Sequence, residues 1–140
     1  MDEELNCPSD VAVLPDGSLA IVDRKNDRIM KWKVGDTCGV PLVGVKAYGP
    51  GFRKLLKPEA VLCLSDGSLV ISDTGHQVVL LYNSTKNENN IVEVAGEHGK
   101  VGWHTTHLNY PRGIAVDKND TLYIVDAFVS TNSVQTSVKL

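Results

Sequence analysis

One sixteen-residue pattern occurs three times without a gap: "PSDVAVLPDGSLAIVD" from Pro8, "PEAVLCLSDGSLVISD" from Pro58 and "PRGIAVDKNDTLYIVD" from Pro111. Counted from the proline, a turn pair falls at Asp16-Gly17, Asp66-Gly67 and Asn119-Asp120. A leucine follows at Leu19, Leu69 and Leu122, an isoleucine at Ile21, Ile71 and Ile124, and an aspartate closes at Asp23, Asp73 and Asp126. The copies start 50 and then 53 residues apart, a period that belongs with propellers and arrays and exceeds that of most helical solenoids. The 140 residues therefore read as one domain, 1–140, with repeats at about 6–56, 57–109 and 110–140.

Each repeat reads as strands. Short apolar, β-branched runs such as Val11 to Leu14 and Leu19 to Val22 flank Asp-Gly, the strongest short-range hairpin signal because glycine takes positive φ freely. Near-continuous hydrophobicity points to strands covered on both faces. A third strand ending in an aromatic follows in "RKNDRIMKWKV" and "TGHQVVLLYN", with Trp32 matching Tyr82, and a weaker fourth in "PLVGVKAYG" and "NIVEVAGEHG". The expectation is an all-β fold: a β-propeller segment of four-stranded antiparallel blades, two full and a partial third that stops at its third strand. No helix is required. A stack this short leaves apolar end faces open, so either more blades belong with it or copies self-associate to close the propeller.

Composition removes several function classes. A net charge of -3 with 22% charged residues exerts no global pull on nucleic acid or acidic membranes. No run approaches a membrane span, and "MDEELNCPSD" is acidic where a secretory signal would be basic and then apolar, so the expectation is a soluble chain, with its compartment open. Cys7, Cys38 and Cys63 show no CxxC spacing and read as ordinary thiols, Cys63 in the core. Asn-x-Ser/Thr triplets at Asn83 and Asn119 leave the compartment undecided.

The order proline, apolar strand, Asp-Gly, "LxIxD", then Asn-x-Arg-Ile ending in an aromatic resembles the NHL repeat, most fully in "CPSDVAVLPDGSLAIVDRKNDRIMKW". The resemblance implies a propeller, commonly six-bladed, and no single function, since protein-binding, RNA-binding and enzymatic members share it. The zinc histidines of the similar peptide α-amidating lyase follow the repeat proline, where this chain has Ser9, Glu59 and Arg112. That departure argues against lyase chemistry in these blades. The enzyme alternative is a six-bladed lyase or hydrolase with a metal in the central channel.

Strand direction sorts the loops into two faces. Loops after the aspartates and before the prolines share one face, which gathers Arg24, Lys25, Arg28, Arg53, Lys54, Lys57, Lys100 and Arg112 with Phe52, Trp103 and Tyr110. The other holds Lys33, Lys86 and Lys118 against Asp16, Asp36, Asp66, Glu88, Asp117 and Asp120. The proline face therefore reads as a non-enzymatic platform for a protein or other anionic partner, with RNA as the second choice. Its candidate residues are Arg24, Lys25, Arg28, Arg53, Lys54, Lys57, Trp103 and Arg112. Asp23, Asp73 and Asp126 are expected to be structural, capping the turn that follows each by accepting backbone N–H groups. His104 and His107 in "WHTTH" are the weak metal candidates, and no cofactor is expected.

Overall fold

A computed structural model describes residues 4–44, 54–86, 90–101, 106–128 and 134–140. They form three antiparallel sheets, each running up and down in sequence order. The first holds β1 (Pro8–Val13), β2 (Leu19–Asp23), β3 (Arg28–Trp32) and β4 (Val40–Val43). The second holds β5 (Ala60–Cys63), β6 (Leu69–Asp73), β7 (Val78–Tyr82) and β8 (Ile91–Gly96). The third stops at three strands: β9 (Pro111–Val116), β10 (Thr121–Asp126) and β11 (Val134–Lys139). These are blades of a β-propeller, two complete and one partial. Among the described residues the only helical pieces are single 3-10 turns after the aspartates, Arg24–Asn26 and Thr74–His76.

The hairpin between each blade's first two strands is one residue longer than the Asp-Gly pair alone implies. Leu14 donates its N–H to Ser18 O and accepts from Gly17 N, enclosing Pro15-Asp16-Gly17, and Leu64 with Ser68 repeats this. This is the three-residue hairpin loop that ends on a left-handed residue. Gly17 and Gly67 supply it at φ 80 and 84; in the third blade Asp120 stands there at φ 58. The Asp16 carboxylate accepts from the N–H and hydroxyl of Ser18, as Asp66 does from Ser68. In the third blade Asp117 does this work instead, accepting from Asn119 and Thr121 N–H. The Lys31 ammonium, 2.6 Å from Asp16 Oδ2, and then the Ser18 bonds hold Asp16 below the usual carboxylate range; the turn bonds hold Asp66 and Asp117 below it.

Strand alternation sends successive residues to opposite neighbours. Leu69 and Ile71 pack with Ala20, Val22 and Ile29 of the blade before. Val70 and Val79 pack with Leu122 and Ile124 of the blade after. β6 is thus buried at every residue, as its unbroken hydrophobicity predicts. Tyr82 packs against the first core, whose burial pushes its phenol up. Its counterpart Trp32 instead folds onto its own loop, donating its indole N–H to Asp36 O at 3.0 Å. Cys63 lies against the first core as expected, and burial raises its thiol; Cys7 and Cys38 are exposed.

Candidate functional site

The repeated aspartates set the shape of the proline face. Neither of the 3-10 turns that follow Asp23 and Asp73 receives a side-chain cap from them, which corrects the expected target. Each carboxylate reaches backwards instead. Asp23 Oδ1 accepts from Asn6 N at 2.6 Å, Asp73 Oδ1 from Leu56 N at 2.8 Å and Asp126 Oδ1 from Asn109 N at 2.6 Å, always 17 residues upstream. The donor is the residue two before the repeat proline, so each carboxylate ties the incoming loop to the outgoing one. All three aspartates are buried. The second oxygen is used differently in each copy. Asp23 Oδ2 takes Asn26 Nδ2 at 2.9 Å and Arg28 Nε at 2.6 Å, and Asp73 Oδ2 takes His76 Nδ1 at 2.8 Å. Asp126 Oδ2 is buried without a hydrogen-bond partner among the described residues, and burial raises its carboxyl.

A second repeated contact joins one blade to the next. The residue before each proline, Cys7, Lys57 and Tyr110, has a positive φ of 51, 47 and 61. The N–H of Lys57 is accepted by Asp27 Oδ1 at 2.7 Å and that of Tyr110 by Gln77 Oε1 at 2.6 Å. Asp27 and Gln77 hold the same place in consecutive blades and are themselves left-handed.

Between the first two blades these loops leave a groove of about 340 Å³ lined by Arg24, Lys25, Asp27, Leu56 and Lys57. Arg24 Nε stands 2.8 Å from Glu59 Oε1 across the blade boundary. One Asp27 oxygen is occupied by the Lys57 N–H. Lys25 and Lys57 are exposed and make no ion pair among the described residues. Three cations therefore line the groove with a single carboxylate, Asp27, in a partly enclosed space where screening by water is reduced, while Glu59 stands beside Arg24 at the blade boundary. Such a site attracts carboxylate or phosphate, with Arg24 able to add a directional contact.

The other candidates separate. Arg28, expected among the binding residues of the proline face, belongs instead to the Asp23 cluster, largely buried, and does not line the groove. Lys54 and Arg112 are exposed on the proline face, while Arg53, Trp103, Phe52 and His104 lie outside the described residues. His107 Nε2 stands 3.1 Å from Glu97 Oε2, and Glu97 also pairs with Lys100. No three metal-ligating side chains come together among the described residues. At the lyase-related positions Ser9 donates its hydroxyl to Glu59 O at 2.9 Å, Glu59 meets Arg24, and Arg112 O accepts from the Ser72 hydroxyl at 2.8 Å. Ser9 and Glu59 are thus engaged in joining blades one and two. Two residues went unmarked in the sequence: Asp27, and Phe128, whose exposed ring meets that of Tyr110 edge-on at 4.9 Å. A larger groove of about 430 Å³ lies near the hairpin turns, bounded by Asp66, Asn83, Lys86, Asp120 and Leu140. Its mixed charge selects no ligand class.

A family model described as NHL repeat matches residues 5–32 and 108–136; the copy between them keeps the same strand order. No match was found among curated protein sequences. Among solved structures, virginiamycin B lyase from Staphylococcus aureus is similar with a TM-score of 0.56 and 17% identity, over 85% of this chain and 34% of that one. A catalytically inactive form of that lyase with quinupristin gives 0.59 and 16%, over 95% and 41%. An auxiliary nutrient binding protein from Bacteroides thetaiotaomicron gives 0.59 and 15%, over 84% and 31%. The chain spans well under half the length of these proteins, and the likeness is one of fold.

Proposed function

We propose that this β-propeller chain with NHL repeats is a non-enzymatic binding module that takes an acidic segment of a protein partner into the proline-side groove. The observation that carries this reading is the meeting of Arg24, Lys25 and Lys57 in a groove lined by one carboxylate, Asp27. The exposed Tyr110–Phe128 pair supplies the kind of rigid aromatic surface that anchors protein interfaces. A phosphate backbone would satisfy the same cations, so RNA is the competing ligand, with Lys54 and Arg112 as further contacts. A lyase or hydrolase centre is favoured by the lyase neighbours alone, through fold.

Fluorescence anisotropy of a labelled Glu-rich decapeptide tests the reading against a single-stranded RNA of equal charge. The wild-type chain is expected to bind the peptide more tightly. Lys25→Glu with Lys57→Glu should weaken binding at least tenfold and reduce its salt dependence. Tighter RNA binding would favour the nucleic-acid alternative, and peptide binding unchanged by the double variant would remove the groove.

A further inference from the structure

We infer that the third blade carries a second binding site on the proline face, one that takes the guanidinium of a protein partner's arginine side chain between Asp126 and the exposed rings of Tyr110 and Phe128. Three blades hold one carboxylate in the same setting, and two of them bring a nitrogen to its second oxygen from their own chain. Asp23 Oδ2 receives Arg28 Nε at 2.6 Å, and Asp73 Oδ2 faces His76 Nδ1 at 2.8 Å. Both nitrogens come from within five residues of the aspartate, so these contacts are internal to a blade and owe nothing to the blade that follows. The third blade has no such residue. From Ala127 to Val138 the sequence contains no lysine, arginine or histidine, and Lys139 lies at the hairpin-turn end, donating to Asn119 O. Asp126 is 7% exposed, and its Oδ2 has no hydrogen-bond partner among the described residues. Arg112, exposed beside the strand partner Pro111, forms none of the ion pairs among the described residues.

A carboxylate buried without a countercharge is costly, and a guest cation removes that cost. The first blade shows that the position is reachable: Asp23 is 0% exposed, yet the Arg28 side chain that meets it keeps 15% exposure. Two aromatic residues stand on the same short ladder as Asp126. Its Oδ1 holds Asn109 N at 2.6 Å, Ala127 N donates to Tyr110 O, and Phe128 N donates to Asn109 O. The rings of Tyr110 and Phe128 meet edge-on at 4.9 Å, and the two residues are 42% and 59% exposed. Lys25 and Lys57, at the places of Phe128 and Tyr110 in the first and second blades, are exposed although another blade follows each. A guanidinium is drawn to ring faces as well as to carboxylate. The ligand chemistry is thus opposite to that of the basic groove, and the site stands without that reading.

Amide chemical shifts of the isotope-labelled chain, titrated with N-acetylarginine methylamide, test the site. Saturable shifts are expected at Asn109, Tyr110, Ala127 and Phe128, with a Kd of about 1–10 mM for one side chain alone. The uncharged citrulline compound of the same shape should bind at least about tenfold more weakly, and Asp126→Asn should lose the arginine probe to the same extent. Phe128→Ala, a change at an exposed ring, should weaken binding about two- to fivefold, and it reads the site independently of any effect of Asp126→Asn on folding. Equal binding of the citrulline compound, an affinity that neither variant changes, or shifts centred on the turn carboxylates Asp16, Asp66 and Asp117 would overturn the inference. Free arginine binding more tightly than the blocked probe would also overturn it, by marking a small-molecule site in place of a partner's side chain.

Discussion

Replacing Asp23 and Asp126 by asparagine, one at a time, should give very different losses although the two residues hold the same repeat position. At Asp23 the carboxylate receives three donors: Asn6 N, Asn26 Nδ2 and Arg28 Nε, the last at 2.6 Å. An amide there turns an NH2 toward a donor whichever way it is flipped, and removes the negative charge facing Arg28 Nε. Breaking a buried ion pair by removing one partner costs about 3–5 kcal/mol. The Arg28 side chain keeps 15% exposure, so water relieves part of this and the lower end, ~3 kcal/mol, is expected. At Asp126 one oxygen accepts from Asn109 N, and the other has no partner among the described residues. Asparagine weakens that bond by ~1 kcal/mol but no longer buries an ionised oxygen without a partner, so its net effect stays within ~1 kcal/mol. Urea unfolding at neutral pH, with the m-value checked for constancy, measures both. Heating should show a midpoint drop of ~10 °C for Asp23→Asn. Equal losses for the two variants, or a loss under ~1 kcal/mol at Asp23, would refute the assignment of roles.

The turn carboxylates and Asp126 should give pH dependences of opposite sign. Asp66, held below its ordinary value of 3.8 by Ser68, contributes stability that is present above 3.8 and lost as pH falls through its lower folded value. Asp126, raised above 3.8 by burial, contributes stability that is full below 3.8 and lost as pH rises through its higher folded value. Urea midpoints between about pH 2 and 7 should therefore show a shallower acid limb in Asp66→Asn and a removed loss on the rising side in Asp126→Asn. Asp120→Gly should stabilise by up to ~1 kcal/mol, since glycine adopts φ 58 without strain; a lower urea midpoint would contradict this. Gly44→Ala should destabilise by more than ~2 kcal/mol, because a Cβ at φ 88 would stand 2.3 Å from Asp27 O. Soluble yield and midpoint close to wild type would refute that contact.

The blade architecture was legible because its signals are local. A proline, an Asp-Gly turn and the run to Asp23 all lie within sixteen residues, and strand pairing follows from them. What the aspartates hold was not legible, because they bind the backbone N–H of Asn6, Leu56 and Asn109. A backbone N–H leaves no mark on residue type, so a contact 17 residues away has no pattern. The left-handed residues Cys7, Lys57 and Tyr110 hide similarly, sharing a conformation and no chemistry. Arg28 reads as a surface cation because its partner looks like a turn cap. Lys25 and Lys57 could be assigned to one face from strand direction, but their meeting in one groove depends on how adjacent blades pack.

Amide chemical-shift mapping of the isotope-labelled chain, titrated with the Glu-rich decapeptide, tests the proposed binding face most directly. The account predicts that the largest shifts cluster at Arg24 to Asp27 and at Leu56 and Lys57, with the hairpin turns Asp16–Ser18 and Asp66–Ser68 unmoved. Shifts centred on those turns and leaving the groove unmoved would contradict it.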